Sequence, residues 1–167
     1  MRMYGIPSIV LGSLSLAALQ VTAAPPPRVA AEDALRALDD KFVEDFNKKD
    51  ENALVSYYAA DAIVMDPGPE LWIKGHDSIR KSLHEMLAGM DLVAFRIHDA
   101  SYHVAGSVGW GTGLWNMTVR DPKTHATEEL AGRFSDIFER RGGKWVCVVD
   151  HASMPTPPPP PAAAIAK

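Results

Sequence analysis

Apolar residues recur at three- and four-residue steps between residues 34 and 87, and this spacing predicts amphipathic helices. The first helix ends at the polar run Asn47-Lys48-Lys49-Asp50, and a short second helix follows it. A strand to Asp66 and a Pro/Gly loop through Gly75 precede the third helix. The apolar positions are Ala34, Leu35, Leu38, Phe42, Val43 and Phe46 in the first helix, Leu54, Val55, Tyr57 and Tyr58 in the second, and Ile79, Leu83, Met86 and Leu87 in the third.

From residue 92 onward the pattern is that of antiparallel strands separated by turn residues. Strands are predicted near residues 92–104, 107–119, 126–140 and 144–153. Helices followed by a long meander predict an α+β fold, in which a strongly curved antiparallel or mixed sheet wraps around three helices as a cone with one open end. Close backbone approach or strong bending is indicated by Gly106, Gly109, Gly111 and Gly113, in or beside one strand.

The chain of 167 residues, 47% of them hydrophobic, is long enough for one domain with a core. Residues 1–23 have the pattern of a secretory signal peptide, because a positive start and an uncharged apolar stretch precede the cleavage pattern Val21-Thr22-Ala23. An uncleaved membrane anchor is the alternative. We expect a Pro-rich leader at 24–30, the domain at 31–154 and a disordered Pro/Ala tail at 155–167. The protein is therefore expected to be periplasmic or secreted, with no stable membrane span after cleavage.

Charge and motif content narrow the classes of partner. The formal charge of −4, with both signs mixed along the chain, offers no basic surface for a nucleic acid. No HExxH motif, Gly-rich phosphate loop or nucleophile elbow is evident, so we expect neither a metal nor a cofactor. The only cysteine, Cys147, lies in an apolar run and is interpreted as a packing residue.

The segment Asp61-Ala62-Ile63-Val64-Met65-Asp66-Pro67-Gly68 has the pattern of a short strand that ends in Asp-Pro-Gly. A carboxylate at the mouth of an apolar pocket can act as a proton-shuttling base. Asp and Pro are also favoured in turns for local reasons. The sequence leaves both interpretations of Asp66 open, as a catalytic base and as a turn residue.

The other candidate residues depend on which face of the sheet they occupy. Asp136 alternates with Phe134 and Phe138, so it is a second pocket acid if that face is concave and solvent-facing or ion-paired if it is convex. Asp150 and His151 are neighbours and point to opposite faces; we assign His151 to the pocket rim, with a structural hydrogen bond as the alternative. Aromatic candidates for the pocket lining, each of which can equally be a core residue, are Tyr58, Trp72, Trp110 and Trp115.

Several short segments follow one another in a characteristic order. They are Asn47-Lys48-Lys49-Asp50, Tyr58-Ala59-Ala60-Asp61-Ala62, Gly75-His76-Asp77-Ser78-Ile79, Gly106-Ser107-Val108-Gly109-Trp110-Gly111-Thr112-Gly113 and Gly142-Gly143-Lys144-Trp145. Together they resemble the NTF2-like superfamily, specifically its SnoaL-like and DUF4440-type members. The resemblance implies the cone-shaped fold and a homodimer, and it leaves function open because the superfamily includes isomerases, cyclases, hydrolases, dehydratases and non-catalytic subunits.

The segment that ends at Asp66 also resembles the ketosteroid isomerases of that superfamily. The resemblance implies that Asp66 is the general base, which takes a proton next to a carbonyl group and returns it elsewhere. It also places the isomerases' oxyanion-hole tyrosine at Phe42, which cannot donate a hydrogen bond, and their second donor near Ser135 or Asp136.

Two classes of function are compatible with these patterns. The first is a cofactor-free acid/base isomerase or lyase that binds a small apolar molecule in a conical pocket, with Asp66 and Asp136 as catalytic residues and Phe42 in the lining. The second is a non-catalytic module for ligand binding, dimerisation or protein interaction, and the phenylalanine at position 42 favours it.

Cleavage after Ala23 is a direct prediction of the N-terminal pattern. When the full-length chain is expressed in a Gram-negative host, the exported protein should begin at Ala24, because small residues at positions 21 and 23 suit signal peptidase. N-terminal sequencing of the periplasmic fraction measures this. Membrane-bound protein that still carries Met1 would instead support the anchor alternative.

Overall fold

The computed structural model describes residues 28–156, and within that range three helices pack on a six-stranded sheet. The helices are α1 (Arg28–Lys48), α2 (Glu51–Tyr57) and α3 (Gly75–Gly89). The strands are β1 (Tyr58–Met65), β2 (Ile73–Lys74), β3 (Asp91–Ala105), β4 (Val108–Arg120), β5 (Thr127–Arg141) and β6 (Lys144–Ser153). Their order is β2-β1-β6-β5-β4-β3, and every neighbouring pair is antiparallel except β1 with β6.

The predicted α+β fold is confirmed, with a mixed and curved sheet that does not close on itself. The four meander strands begin and end within one residue of the predicted bounds. Their positions were predictable because each pair is joined by a short connection with turn-forming residues, at residues 106–107, 121–126 and 142–143.

Three boundaries differ from the predictions. The predicted loop through Gly75 contains β2, which pairs with β1 and is too short to show alternation in the sequence. Helix α1 begins at Arg28, inside the predicted leader at 24–30, and Tyr58 begins β1 instead of ending the second helix. The predicted signal peptide and nearly all of the predicted tail lie outside the described residues, so export stays a prediction. Within residues 28–156 no helix is both long and apolar enough to cross a bilayer.

Glycines in β4 let the helices and the aromatic side chains approach the sheet closely. A Cβ at Gly109, Gly111 or Gly113 would lie 2.6 Å from Leu35 Cδ1, 2.9 Å from Tyr102 Cε1 or 2.6 Å from Phe134 Cε1, respectively. These separations are too short for real carbon contacts, so any side chain there would displace its neighbour. The predicted close approach is therefore present, and it brings α1 against the concave face of the sheet.

The polar run after α1 fixes the helix layer to β3. Asn47 Nδ2 donates to the Phe95 carbonyl oxygen at 2.9 Å, and the Phe95 amide donates to Asn47 Oδ1 at 2.7 Å. Lys49 adopts a positive φ of 56° and ends the helical path, while Asp50 caps α2 by accepting the Ala53 amide at 3.0 Å. This segment therefore sets the orientation of α2, which ends at Tyr57 and is followed directly by β1.

The contact between Gly132 and Trp115 gives a test of the packing. A Cβ at residue 132 would overlap both the Trp115 ring and the Ser153 carbonyl oxygen, of which the second is backbone. Gly132→Ala should therefore destabilise the protein by about 1–3 kcal/mol through overpacking, measured by denaturant unfolding. Gly89→Ala is the matched control, because nothing lies within 4 Å of a Cβ there and its φ is not positive, so it should be neutral or slightly stabilising. Equal stability of both variants would contradict the packing described here.

Candidate functional site

A cavity of about 520 Å³ lies between the helices and the concave face of the sheet. Residues 66–70, in the loop between β1 and β2, line it and are exposed to solvent, so this loop forms part of the rim. Most of the wall is apolar, and much of it is aromatic. The aromatic residues include Phe42, Phe46, Tyr58, Phe95, Trp115 and Phe134.

Strand register places two carboxyl groups side by side in the wall of this cavity. Asp136 on β5 lies directly opposite Asp150 on β6, and both residues line the cavity. Asp136 shares its face with the buried Phe134 and Phe138, and only 6% of its surface is exposed. The face of β5 that carries Asp136 is therefore the concave one.

Three tyrosine hydroxyl groups contact the buried carboxyl groups. Tyr58, the first residue of β1, donates to Asp150 Oδ2 at 2.8 Å. The Tyr57 hydroxyl oxygen lies 2.6 Å from Asp39 Oδ1 and 3.2 Å from Asp136 Oδ2.

A second tyrosine completes the surroundings of Asp39. Tyr102 on β3 donates to Asp39 Oδ2 at 2.7 Å. Burial raises the pKa of Asp39 to about 6, against the opposing effect of the hydrogen bonds from Tyr57 and Tyr102. Asp39 is thus a carboxylate at neutral pH, with both oxygens accepting a hydrogen bond.

The surroundings of Asp136 and Asp150 shift the pKa values of these two carboxyl groups differently. Burial, followed by the charges of Asp150 and Asp39, raises the pKa of Asp136 well above its usual range. Burial also raises the pKa of Asp150, while hydrogen bonds from Tyr58 and Asp136 lower it. Asp136 Oδ1 is buried and accepts no hydrogen bond from residues 28–156, so an ionised Asp136 would leave a charged oxygen unsatisfied. We infer that Asp136 holds the proton at neutral pH and donates it in a hydrogen bond to Asp150.

Asp66 follows β1 at the cavity rim, and its carboxyl group accepts no hydrogen bond from residues 28–156. Enclosure by protein, and then the charge of Asp150, raises the pKa of Asp66 to about 7. Asp66 is exposed to solvent at the rim, and this exposure screens the charge of its carboxyl group.

Five of the eight candidate residues from the sequence line the cavity, namely Phe42, Tyr58, Asp66, Trp115 and Asp136. The other three, Trp72, Trp110 and His151, do not line it.

Trp72 and His151, both expected in the pocket, lie outside the lining of this cavity. Trp72 projects from the loop before β2 with 55% of its surface exposed, and Lys74 Nζ lies 4.0 Å from its ring centroid. His151 pairs with Ser135, on the outer face of the sheet, and it is Asp150 that points inward. The rule that neighbours on a strand face opposite ways was sound, but the sequence did not show which neighbour faced the helices.

Trp110, also expected in the pocket, lies outside the lining of this cavity. It is 42% exposed and packs its ring on that of His103, because Gly109 and Gly111 take the inward positions on either side of it. Leu114 and Ile137 are also exposed hydrophobic residues. The homodimer implied by the resemblance stays a prediction.

Sequence reasoning missed Asp39 and undervalued Asp150. Asp39 lies on the apolar face of α1, four residues after Leu35 and seven before Phe46, and only 1% of its surface is exposed. A carboxyl group within an apolar helical stripe is the signal that would have identified it. Within residues 28–156 no three His, Cys, Asp or Glu side chains are arranged to hold a metal ion.

Comparison with known proteins gives the family. The SnoaL-like domain family matches residues 35–157, which is most of the chain. This chain belongs to the SnoaL-like domain family. None of the curated proteins is similar enough in sequence to be counted as a relative.

Solved structures share the fold at low sequence identity. A protein of unknown function from Mycobacterium tuberculosis has a TM-score of 0.70 at 16% identity, over 83% of this chain and 84% of that one. A dehydratase candidate of the NTF2-like family from Streptomyces avermitilis has a TM-score of 0.68 at 16% identity, over 77% and 98%. A ketosteroid isomerase-like protein from Erwinia carotovora atroseptica has a TM-score of 0.64 at 18% identity, over 75% and 97%. These similarities establish the NTF2-like fold of this chain.

The raised pKa of Asp66 predicts a pH-dependent stability. Its protonated form contributes stability that is fully present below the ordinary pKa of 3.8 and is lost as the pH rises through about 7. Asparagine does not titrate, so Asp66→Asn should gain stability relative to the wild-type protein between pH 5 and pH 8. Thermal unfolding of both proteins at the two pH values measures this as a difference in Tm.

Asp61→Asn is the matched control on the same strand. Its hydrogen bond from Arg141 lowers the pKa of Asp61 from 3.8, so both its folded and unfolded values lie below pH 5. The difference in Tm between Asp61→Asn and the wild-type protein should therefore stay constant between pH 5 and pH 8. If the Asp66→Asn difference is equally constant, Asp66 ionises in the fold as freely as in the unfolded chain.

Proposed function

We propose that this protein is a cofactor-free acid/base catalyst, an isomerase or lyase acting on a small, neutral, largely apolar carbonyl compound. Asp66 is the general base, and the Asp136–Asp150 pair supplies the acid. One observation supports this assignment above the others: a carboxyl group that accepts no hydrogen bond from residues 28–156 and a pair of buried carboxyl groups on neighbouring strands line the same apolar cavity.

The two kinds of carboxyl group suit opposite roles. A base works best when its pKa lies near the working pH, and Asp66 approaches that value. An acid must still hold its proton at that pH, and burial, followed by the charges of Asp150 and Asp39, raises the pKa of Asp136 well above its usual range. In acid/base catalysis by two carboxyl groups, the environments usually separate the two pKa values in this way, so that one group acts as the base and the other as the acid.

An isomerisation in this site would balance without any other reactant. Asp66 removes a proton from the carbon next to the carbonyl group, while the single O–H of Asp136 turns from Asp150 to donate to the carbonyl oxygen, which gains negative charge. Asp66 then returns its proton to a different carbon, and the double bond shifts. In a lyase reaction Asp66 would take the same proton, and the Asp136–Asp150 pair would protonate the departing hydroxyl group as water.

The charged residues that line the cavity favour a neutral substrate. Among the described residues that line the cavity, Asp66, Glu70, Glu85, Asp136 and Asp150 carry carboxyl groups, and none is Lys, Arg or His. An anionic substrate would meet charge of its own sign with no counterion, at a cost that apolar contacts do not offset. The volume of about 520 Å³ lies within the range of roughly 300–1,000 Å³ typical of small-molecule sites.

Two of the structural neighbours support proton transfer chemistry in this fold. One is named as a dehydratase candidate and the other as a ketosteroid isomerase-like protein. Dehydration and double-bond isomerisation both proceed by removal of a proton from carbon and delivery of a proton elsewhere.

Phe42 favours a second candidate function, which is ligand binding without catalysis. It lines the cavity at 4.6 Å from the Tyr57 ring centroid, and it has no hydrogen to donate to an oxyanion. The loss of one oxyanion donor typically lowers kcat by about a hundredfold or more. The site would then bind the same neutral molecules and leave them unchanged.

Isomerisation of a β,γ-unsaturated ketosteroid, followed by ultraviolet absorbance, tests the proposal. The wild-type protein should turn the steroid over, and Asp66→Asn should reduce kcat by about a hundredfold or more because the base is lost. Asp61→Asn should retain the wild-type rate, since Asp61 is exposed and lies outside the cavity lining.

The outcomes separate the two candidate functions. Turnover that is unchanged by Asp66→Asn would place the base elsewhere and reject this assignment. Binding of the steroid without turnover by any of the three proteins would favour the non-catalytic alternative.

A further inference from the structure

Asp39 does not line the cavity, yet it contacts the cavity acid through one hydroxyl group. It is 1% exposed, on the inner face of α1, and both of its oxygens face tyrosine hydroxyl groups. The hydroxyl group of Tyr57 lies between Asp39 and Asp136. Asp39, Tyr57, Asp136 and Asp150 therefore form one continuous row of polar groups from the helix to the cavity wall.

A tyrosine hydroxyl group has a single hydrogen, so Tyr57 cannot serve both carboxyl groups fully. The oxygen–oxygen distance is 2.6 Å to Asp39 and 3.2 Å to Asp136, and the shorter distance marks the stronger acceptor. Asp39 therefore takes most of that hydrogen. Asp136 accepts only a weak hydrogen bond at Oδ2, and its Oδ1 accepts none from residues 28–156.

The missing donors explain why the proton of the pair is held by Asp136. A buried carboxylate is stabilised by the hydrogen bonds that it accepts, and Asp150 accepts one from Tyr58 at 2.8 Å. Asp136 has no comparable donor while Tyr57 is committed to Asp39. The negative charge of Asp39, which lies on the far side of the same hydroxyl group, acts in the same direction.

We propose that Asp39 is a positioning residue that draws the Tyr57 hydrogen away from Asp136 and so keeps Asp136 as the protonated, donating member of the carboxyl pair. The consequence of this role of Asp39 for catalysis rests on the function proposed above. The effect of Asp39 on which carboxyl group holds the proton is independent of that function and can be measured without a substrate.

The ionised form of Asp39 exerts this effect. With a pKa of about 6, Asp39 is ionised at pH 7 and becomes protonated as the pH falls below about 6, where its claim on the Tyr57 hydrogen weakens. Titratable or charged groups act on it from each neighbouring element. They are Asp40 on its own helix, Tyr57 on α2, Tyr102 on β3 with Arg36 over its ring, Asp136 on β5, and Cys147 and Asp150 on β6.

Carbon-13 NMR titration of the aspartate carboxyl groups tests the proposal. In Asp39→Asn the Tyr57 hydrogen should pass to Asp136, so the higher midpoint of the Asp136–Asp150 pair should fall by about one pH unit or more. Asp40→Asn is the control, because Asp40 is the exposed neighbour on the same helix, and the midpoint should move little. An unchanged midpoint in Asp39→Asn would overturn the proposal.

A double-mutant cycle separates the hydroxyl contact from simple charge repulsion. The Asp39→Asn shift should be much smaller in the Tyr57→Phe background, where only the through-space charge effect remains. Equal shifts in both backgrounds would show that charge alone acts, and the positioning role would be rejected.

The wild-type protein gives a reading that requires no variant to fold. The Tyr57 hydroxyl proton, shielded in the core, should resonate far downfield and should move as Asp39 titrates near pH 6. A proton signal that follows the titration of Asp136 instead would contradict the assignment of that hydrogen to Asp39.

Enzyme kinetics distinguish failure of this inference from failure of the proposed function. If the protein turns over a substrate, the alkaline limb of kcat/KM should move to lower pH in Asp39→Asn by the same amount as the NMR midpoint. A protein without turnover would reject the proposed function, while the titrations would still decide the role of Asp39. A shifted NMR midpoint with an unmoved alkaline limb would reject Asp136 as the acid.

Discussion

Burial of several carboxyl groups in one apolar core is the constraint on which this site depends. The charge of Asp150 raises the pKa values of Asp39 and Asp136, and the charge of Asp39 also raises that of Asp136. Ionised groups in such surroundings are costly unless they are hydrogen-bonded. Three tyrosine hydroxyl groups are too few to satisfy six carboxyl oxygens. A proton held by Asp136, as proposed above, would complete the hydrogen bonding of these buried carboxyl groups, and an acid in the site would then follow from burying them together.

Strand register decides which residues share that core. Asp136 and Asp150 lie opposite each other because the register set by the turn at Gly142 and Gly143 shifts by one residue between Ile137 and Phe138, and without this shift Asp136 would pair with Val149. The inward glycines of β4 leave room for the helices and for Tyr102. The helix layer can therefore pack closely enough for Asp39 on α1 to contact the hydroxyl groups of Tyr57 and Tyr102.

The site differs in its parts from what the ketosteroid isomerase resemblance implies. Position 42 supplies an apolar ring to the cavity, and the tyrosines at the junction of α2 and β1 donate to Asp136 and Asp150, whereas Asp136 itself lies where the resemblance expects the second donor. Tyr57 and Tyr58 are adjacent in sequence but contact different carboxyl groups, because the chain changes from helix to strand between them. A shared fold does not determine the chemistry of a site, which depends on such local differences.

The sequence alone determined the helices, the meander, its turns and the strand that ends at Asp66, because these follow from local periodicity and turn chemistry. It also determined that Asp136, Phe134 and Phe138 share one face. Tertiary structure alone decided that this face is concave, that Asp150 and not His151 points inward, and that Asp39 joins the network from a helix about a hundred residues away in sequence. The physical reason is that periodicity fixes which residues lie on the same face, whereas the packing of distant elements decides which face becomes the interior.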